Sequence, residues 1–217
     1  MSDHHREVTV LVIAGSLRKG SLNHTLADLA CSVIKASGHT VAHRELEQFV
    51  CPNYDGDDES ESGIPAGAQR FRDELVKADA FVIASPEYNA SMPGVLKNII
   101  DWTSRFRPQP FKGKMCLLMS ASPSMAGGNR GLWSLRIPLE HLGTRVYPDM
   151  FSLAQAHEAF DASGRIKNEQ LQSFFESTIG CFIELAEAAR NYPAMKSEWI
   201  EFLGEKPDPA TTRVEAA

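Results

Sequence analysis

The sequence predicts an α/β fold in which helices cover both faces of a parallel β-sheet. Segments with strand and helix character alternate about five times along the 217 residues. The strand segments are continuous apolar runs, which are typical of strands buried on both faces. Loops rich in Ser, Gly, Asn and Pro follow three of these runs. Such loops meet at the carboxyl edge of an open sheet, where ligands bind.

The first strand, helix and second strand have the clearest patterns. Residues 8–14 are an apolar run rich in Val, Leu and Ile that ends at Gly15, and they predict a buried strand. Apolar residues then recur at helical spacing over 23–37, and Gly38 stands where a helix C-cap glycine belongs. The alternating pattern over 40–46 predicts a second strand at the edge of the sheet.

The middle of the chain begins with a change of composition. Residues 51–67 are acidic and rich in Gly, Ser and Pro, and they predict a long loop. The acidic run 55–61 lacks the ligand spacing of a calcium-binding loop, so a solvated segment is expected there. Helix, strand, helix and strand patterns then follow in turn, over about 68–78, 80–84, 95–105 and 115–119.

The last part of the chain completes the alternation. A helix near 132–142 contains Pro138 and is expected to be kinked or split there. Residues 144–147 predict a fifth strand, and a final helix is predicted from about 168 to 192. The expected buried face of that helix consists of apolar residues at helical spacing: Leu171, Phe174, Phe175, Phe182, Leu185 and Ala189.

The domain organisation follows from these patterns. We predict one domain over residues 8–200, which is a usual length for a single buried core. The polar residues 1–7 are expected to be flexible. The tail over 205–217 carries charges and prolines but few apolar residues, and it is expected to be disordered.

Composition excludes several classes of function. The net charge of −6 argues against nucleic acid as the main partner, because binding to its backbone needs clustered Lys and Arg. The four cysteines are widely separated, so we predict reduced thiols and no metal site. Apolar runs are far shorter than the roughly 20 residues of a membrane span, and the N-terminus lacks the apolar core of a signal peptide. A cytoplasmic protein that does not associate with membranes is therefore expected.

The loop after the first strand has the features of a phosphate site. A Gly/Ser turn that opens a helix presents free backbone N–H groups to an anion. The loop has neither the G-x-G-x-x-G of a dinucleotide fold nor the G-K-[ST] ending of a P-loop, so a single phosphate group fits best. Ser16, Ser21 and Asn23 can donate side-chain hydrogen bonds, and Arg18 can contact two phosphate oxygens. The alternative is a simple turn with a solvated Arg18 and with Asn23 as an N-cap. His24 is expected to face solvent.

The loop after the third strand has the features of a site for a planar ring. Pro86 fixes a turn, while Tyr88 and Asn89 offer an aromatic face and a two-way hydrogen-bonding amide. A heteroaromatic ring with exposed N–H and C=O groups would fit, and the alternative is a tight turn with a packing tyrosine. In the next helix, Lys97 and Asp101 are expected to form an i,i+4 pair that braces the helix.

Several motifs resemble those of one family, the NADPH-dependent FMN reductases. The run Gly-Ser-Leu-Arg-Lys-Gly-Ser-Leu-Asn from Gly15 to Asn23 closely resembles that family's phosphate motif. Residues 86–89, together with 93–98 and 100–102, resemble its second motif, and Gly127-Gly128 resembles its third loop. The resemblance covers roughly residues 8–190. It implies a flavodoxin-like three-layer sandwich with a five-stranded parallel sheet in the order 2-1-3-4-5.

The resemblance also implies a set of cofactor-binding residues. The residues implied for the phosphate of FMN are Ser16, Arg18, Ser21, Leu22 and Asn23. The residues implied for the isoalloxazine ring are Pro86, Glu87, Tyr88 and Asn89, with Ser122 from the third loop. From the resemblance alone, Glu87, Arg130 and Asp149 are candidate contacts between subunits.

The activity implied is that of an FMN-dependent NAD(P)H oxidoreductase. Non-covalently bound FMN would accept hydride at N5 from NADH or NADPH and pass electrons to quinones, flavins, azo compounds or oxidised metals such as chromate. This ping-pong cycle needs no side-chain acid or base, so no catalytic residue is assigned. Members of the family are usually homodimers or homotetramers. The alternatives are a flavodoxin-like electron carrier and a flavin-binding regulatory protein without NAD(P)H turnover.

Overall fold

The sheet has the strand order expected of a flavodoxin-like fold. The structure is a computed structural model that describes residues 7–202, with side chains described as far as Arg190. The strands are β1 (Thr9–Ala14), β2 (Thr40–Arg44), β3 (Ala80–Ala84), β4 (Met115–Ala121), β5 (Arg145–Val146) and β6 (Phe151–Leu153). They pair in parallel in the order β2-β1-β3-β4-β5, and β6 also pairs with β4. The predicted order is therefore confirmed.

Helices cover both faces of this sheet. They are α1 (Leu22–Ala36), α2 (Gly56–Ser62), α3 (Ala66–Lys77), α4 (Gly94–Thr103), α5 (Asn129–His141), α6 (Ala156–Ala159) and α7 (Glu169–Phe202), and a 3₁₀ helix spans Leu46–Phe49. Helices α1 and α7 pack on one face, where Leu26 and Phe182 meet Val10 and Val12 of β1. Helices α3, α4 and α5 pack on the other face.

The strands alternate between two apolar cores, which explains their continuous apolar sequences. Along β1, Val10 and Val12 belong to the core under α1 and α7, whereas Leu11 and Ile13 belong to the opposite core. All four side chains are fully buried. An alternating polar pattern would have placed polar groups in one of these cores, so the sequence signal and the two-sided burial have the same cause.

The fifth position of the sheet is filled by two short strands instead of one. Strand β5 pairs with the start of β4 at Met115, and β6 pairs with its end at Ala121. The segment between them contains Pro148, which cannot donate a backbone hydrogen bond to the ladder. Sequence analysis missed β6, because three residues are too few to show a period. The end of β6 therefore also lies at the carboxyl edge of the sheet.

The acidic segment is partly helical, so the prediction of a loop over 51–67 was wrong. Helix α2 spans Gly56–Ser62, and the side chain of Asp55 caps it by accepting from the N–H of Asp57. Acidic residues in its first turn also interact favourably with the helix dipole. Glu59 anchors the helix by accepting hydrogen bonds from Tyr54 and Arg105, at 2.9 Å in each case. In the described part of the chain, no cluster of His, Cys, Asp and Glu could hold a metal ion.

Helix α5 starts three residues earlier than predicted and is not split at its proline. It runs from Asn129 to His141 with Pro138 inside it. Leu135 and Leu139, on either side of Pro138, are fully buried and hold the helix against the sheet. These core contacts compensate for the backbone hydrogen bond that a proline removes.

The buried face of α7 is rotated from the one predicted. Phe175 and Phe182 are fully buried, as expected, but Leu171, Phe174 and Leu185 are exposed. The buried face instead continues through Ile179, Ile183 and Ala186. Apolar residues follow two overlapping helical stripes in this sequence, and a shift of one residue rotates a helix face by about 100°.

The predictions for the chain ends, over 1–7 and 205–217, lie outside the described residues apart from Glu7. Among the helices that the structure describes, none has both the length and the apolar character needed to cross a bilayer.

Two helical glycines differ in how closely their surroundings approach. A Cβ on Gly67 of α3 would lie 2.5 Å from the carbonyl oxygen of Val50, whereas a Cβ on Gly180 of α7 would meet nothing within 4 Å. We expect Gly67→Ala to lower the free energy of unfolding by about 1–3 kcal/mol through overpacking. Gly180→Ala should raise it by about 1 kcal/mol through helix propensity. Urea unfolding of both variants checks this, and equal effects would contradict the close approach at Gly67.

Candidate functional site

The candidate site lies where the order of the strands reverses. The chain moves outward from β1 to β2 and then returns to β3 on the other side of β1, and such a reversal leaves a crevice at the carboxyl edge. Gly15 lies at this point, and its N–H donates to the carbonyl of Ala84 at 2.8 Å. A Cβ on Gly15 would lie 3.2 Å from Leu96 and 3.3 Å from the Ser85 hydroxyl, so glycine permits the close approach of the two loops.

The loop from β1 to α1 (residues 15–21), which we call the phosphate loop, has the features of an anion site. The hydroxyl of Ser16 is buried and accepts a hydrogen bond from the N–H of Arg18 at 3.2 Å. Ser21 is the N-cap of α1, and its hydroxyl accepts from the N–H of Asn23 at 3.3 Å. Among the described residues, the backbone N–H groups of Gly20 and Leu22 have no acceptor, and the exposed Arg18 has no carboxylate partner. These free donors at a helix N-terminus fit a phosphate group.

His24 is directed into the loop, so the expectation that it faces solvent was wrong. Its Nε2 lies 2.8 Å from the carbonyl oxygen of Ser16. The contact connects the first turn of α1 to the start of the phosphate loop. His24 therefore stabilises the loop through this contact, a role that its sequence position alone did not indicate.

The loop after β3 (residues 85–93), which we call the ring-binding loop for its proposed role, is built around a tight turn. Tyr88 and Ser91 exchange backbone hydrogen bonds at 2.9 and 3.1 Å, and between them Asn89 and Ala90 both have left-handed backbone angles, with φ of 52° and 62°. Two such residues define a type I′ turn, which strongly favours Gly or Asn. The turn leaves Tyr88 exposed at the edge of the site.

Glu87 fastens this loop to the start of α5. One carboxylate oxygen pairs with the guanidinium of Arg130 at 2.5 Å, and the other accepts from the N–H of Gly131 at 3.1 Å. Burial opposes ionisation of Glu87, but these hydrogen bonds outweigh it and hold the pKa of its carboxyl below the usual range. Two of the three residues suggested as subunit contacts from the resemblance, Glu87 and Arg130, thus pair within one chain.

A second contact holds the same loop on α5. The hydroxyl of Ser134 accepts from the N–H of Met92 at 2.7 Å and donates to the carbonyl of Gly131 at 2.8 Å. Gly131 permits this packing, because a Cβ there would lie 3.1 Å from Glu87. The ring-binding loop and the first turns of α5 therefore behave as one unit.

The third loop is held by the end of β6. The N–H of Ser122 donates to the carbonyl of Leu153 at 3.0 Å, and the N–H of Ala156 donates to the carbonyl of Ser122 at 2.9 Å. The hydroxyl of Ser122 accepts from the N–H of Ser124 at 3.2 Å and lies at the accessible edge. Ser122 is thus placed beside the crevice by a strand that the sequence pattern did not reveal.

A buried hydroxyl lies beneath the glycines of this loop. Within the described residues, Ser120 Oγ has no hydrogen-bond partner although it is fully buried. A Cβ on Gly128 would lie closer to it than any contact allows, and Gly128 has a φ of 84°. The Gly127-Gly128 pair noted in the sequence therefore lets α5 begin directly above β4.

Residues of the second motif also hold α4 against the segment 52–54. Lys97 and Asp101 form the expected pair, with Nζ 2.6 Å from the carboxylate. Asn98 accepts from the N–H of Tyr54 and donates to the carbonyl of Pro52, at 2.8 Å in each case, and Trp102 Nε1 donates to the same carbonyl at 2.8 Å. Sequence analysis missed these two roles, although buried polar atoms on an apolar helix face are their signal.

The site therefore combines an anion-binding helix N-terminus with two loops that flank an open edge. This arrangement fits a ligand with a phosphate at one end and a flat ring with polar edges at the other. All ten residues assigned from the sequence belong to the three loops or to the first turn of α1. The structure brings the loops together through the Gly15–Ala84 and Glu87–Gly131 hydrogen bonds.

Known proteins are similar to this chain in both sequence and fold. The sequence profile of a family described as NADPH-dependent FMN reductase matches residues 8–158. An NAD(P)H-dependent FMN reductase of Pseudomonas aeruginosa is 35% identical over 181 residues, which cover 82% of this chain and 94% of that protein. A quinone reductase of Escherichia coli is 39% identical over 140 residues, which cover 64% of this chain and 73% of that protein.

A solved structure supports the same relationship. FerB of Paracoccus denitrificans, described as a flavoenzyme NAD(P)H:(acceptor) oxidoreductase, superposes with a TM-score of 0.71. It is 30% identical, and the alignment covers 84% of this chain and 98% of FerB.

Removal of the charge at Glu87 should destabilise the fold in a pH-dependent way. Because its pKa is lowered in the fold, its contribution is complete above the pKa of an unfolded Glu, about 4.3, and is lost as the pH falls through the folded value. We expect Glu87→Gln to lower the free energy of unfolding at pH 7 by about 1–3 kcal/mol. The difference from wild type should shrink below pH 4, as measured by urea unfolding at several pH values.

Glu140→Gln is the matched control, because Glu140 lies on α5, the helix that Glu87 contacts, and its exposed carboxylate forms an i,i+4 pair with Arg136. Its effect should stay below about 0.5 kcal/mol. Equal losses in the two variants, or a pH-independent loss for Glu87→Gln, would contradict the role of the charge.

Proposed function

This chain belongs to the NADPH-dependent FMN reductase family, and we propose that it is an FMN-dependent NAD(P)H oxidoreductase that passes electrons to small-molecule acceptors. The observation that carries the proposal is the pairing of the phosphate loop with the ring-binding loop across the β1–β3 crevice. A phosphate site alone would fit many ligands, whereas the two loops together fit a flavin mononucleotide.

The residues of the phosphate loop fit the charged end of FMN. Among the described residues, the N–H groups of Gly20 and Leu22 have no acceptor and the guanidinium of Arg18 has no carboxylate partner. Together with the hydroxyls of Ser16 and Ser21, they would supply donors to several phosphate oxygens. We place the Leu22 contact at its backbone, because an apolar side chain cannot donate.

The residues of the second and third loops fit the ring. Pro86 and Asn89 would place backbone groups along the ring edge, Tyr88 would border the ring, and Ser122 would approach it from the third loop. The carboxylate of Glu87 is occupied by α5, so Glu87 would contribute to ring binding only through its backbone. The open edge beside Tyr88 leaves one ring face accessible to a nicotinamide or an acceptor.

Bound FMN would supply the hydride-accepting and electron-donating chemistry. The protein would bind the phosphate, orient the ring between two fixed loops and leave one face open for alternating substrates. This division of roles explains why the sequence assigns no catalytic acid or base. It also fits a ping-pong exchange of nucleotide and acceptor at one face.

The acceptors proposed are quinones, flavins, azo compounds and oxidised metals. Quinones are favoured because the Escherichia coli relative is named a quinone reductase. Either NADH or NADPH is proposed as the donor. We further propose a cytoplasmic location, which agrees with the four described cysteines being free thiols.

We also propose that the protein assembles as a homodimer or homotetramer. Helix α5 exposes Trp133 and Ile137, which are 54% and 71% exposed, one turn apart beside Arg130. Large apolar side chains on an otherwise polar surface often mark an interface. We expect Trp133→Glu combined with Ile137→Glu to reduce the molecular mass measured by light scattering.

Val76→Glu is the control for that experiment, because Val76 is 60% exposed on the distant helix α3. Its mass should match that of wild type. A wild-type protein that is monomeric at micromolar concentration would refute the assembly.

Removal of the Arg18 guanidinium should weaken FMN binding. A lost charge-assisted hydrogen bond costs about 1.5–3 kcal/mol, or roughly 10- to 150-fold in the dissociation constant. Titration of the apoprotein with FMN, followed by flavin fluorescence, measures this effect for Arg18→Ala. Lys19→Ala removes the neighbouring exposed charge and should have a much smaller effect. An unchanged affinity in Arg18→Ala would show that the loop does not bind the phosphate.

Anaerobic stopped-flow absorption tests the enzymatic activity itself. NADPH or NADH should bleach the flavin absorption of the holoprotein without any other protein, and a quinone should restore it. A flavodoxin-like electron carrier would show no direct reduction by nucleotide, and a flavin-binding regulatory protein would show no turnover. Either result would refute the proposed function.

A further inference from the structure

We propose that Asn23 is a positioning residue whose side chain completes the end of the sheet, and that it does not bind the phosphate. This inference rests on the proposed FMN site, but it departs from the role that the family motif implies for this residue. It predicts that Asn23 affects the ring end of the site as much as the phosphate end.

The contact made by Asn23 lies near the point where β3 and β4 separate. Strand β4 extends to Ala121, whereas β3 ends at Ala84, whose partner in the ladder is Met119. The last hydrogen bond between these strands runs from the N–H of Ser85 to the carbonyl of Met119, at 2.8 Å. Beyond it, the chain turns away into the ring-binding loop.

Ala121 is left facing the space that β3 vacates. In a parallel sheet, successive residues direct their N–H and C=O groups alternately to the two neighbouring strands. Met119 bonds toward β3, and Ser122 bonds toward β6 through the carbonyl of Leu153. Ala121 must therefore direct both backbone groups toward the missing part of β3.

The side chain of Asn23 fills this place. Its Nδ2 donates to the carbonyl oxygen of Ala121 at 3.0 Å, and its Oδ1 accepts from the N–H of Ala121 at 3.0 Å. The two residues are 98 apart in sequence, and Asn23 is only 2% exposed. One side-chain amide thus reproduces the pair of hydrogen bonds that a neighbouring strand would make.

The Asn23 amide is therefore already held in place by Ala121. Its single oxygen and one amide hydrogen are held by backbone groups of a buried strand end, and such groups are costly to leave unpaired. At the same end of α1, the donors suited to a phosphate are the backbone N–H groups and hydroxyls described above. Asn23 connects that cluster to Ala121, the residue that precedes Ser122.

This connection fixes the distance between the two ends of the site. Helix α1 carries the phosphate donors, and Ala121 leads directly into the third loop. Without the Asn23 amide, Ala121 and the loop after it would lose these two hydrogen bonds to α1. Both a flavin with a phosphate and one without it would then find a less ordered ring site.

The affinity of the apoprotein for FMN and riboflavin separates the two roles, because riboflavin lacks the phosphate. We expect Asn23→Ala to weaken FMN and riboflavin by the same factor, roughly tenfold for two lost hydrogen bonds. Arg18→Ala should weaken FMN and leave riboflavin unchanged. Loss of FMN affinity alone in Asn23→Ala, at temperatures well below its unfolding midpoint, would overturn the inference.

A measurement on the wild-type apoprotein avoids dependence on the variant folding. In an NMR titration with inorganic phosphate, the backbone amide signal of Leu22 should move while the side-chain amide signals of Asn23 stay in place. The N–H of Ala121 should exchange with solvent as slowly as those of its neighbours in β4. Large phosphate-induced shifts of the Asn23 side chain, or rapid exchange at Ala121, would overturn the inference.

The same data distinguish this inference from the proposed function. A wild-type protein that binds neither flavin would refute the FMN site, whereas the exchange rate at Ala121 would still confirm or refute the contact with Asn23.

Discussion

Backbone groups left without partners at the carboxyl edge of the sheet are the constraint on which the rest of this structure depends. Where parallel strands end and helices begin, N–H and C=O groups lose their regular partners. The chain satisfies them with side chains. Ser21 caps α1 from the adjacent position, whereas Asn23 and Glu87 reach Ala121 and Gly131 from distant segments. Among the described residues, the N–H groups of Gly20 and Leu22 keep no acceptor and are available to an anion.

The proposed flavin site is built from loops that hydrogen bonds attach to neighbouring elements of the fold. We therefore propose that its geometry does not depend on which acceptor binds. The open side of the crevice, beside Tyr88, is bordered by exposed side chains and imposes little shape of its own. A site that fixes the flavin and leaves the acceptor face open fits relatives named for FMN, quinones and unspecified acceptors.

Much of the fold could be predicted because its signals are local. The run over 8–14 and the turn at Gly15 identify a buried strand, a loop and a helix N-terminus within a few residues. The remaining features depend on contacts between distant residues. Glu59 of α2 pairs with Arg105, Ser122 is held by the unrecognised strand β6, and the amide of Asn23 pairs with Ala121, 98 residues away. No periodicity or motif carries that information. In α7, the apolar pattern predicts a buried face that is rotated by about one residue from the one observed.

The turn at Asn89 and Ala90 has a consequence for how a flavin would enter. An alanine in the left-handed region costs about 1 kcal/mol more than a glycine. Hydrogen bonds made by Glu87 and Ser134 on the two sides of the turn stabilise this conformation. The shape of the ring-binding loop is therefore fixed when the chain folds. A ligand that arrives later meets a preorganised surface and loses little conformational entropy in ordering it. Cofactor capture should then resemble docking to a rigid crevice more than the closing of a flexible loop.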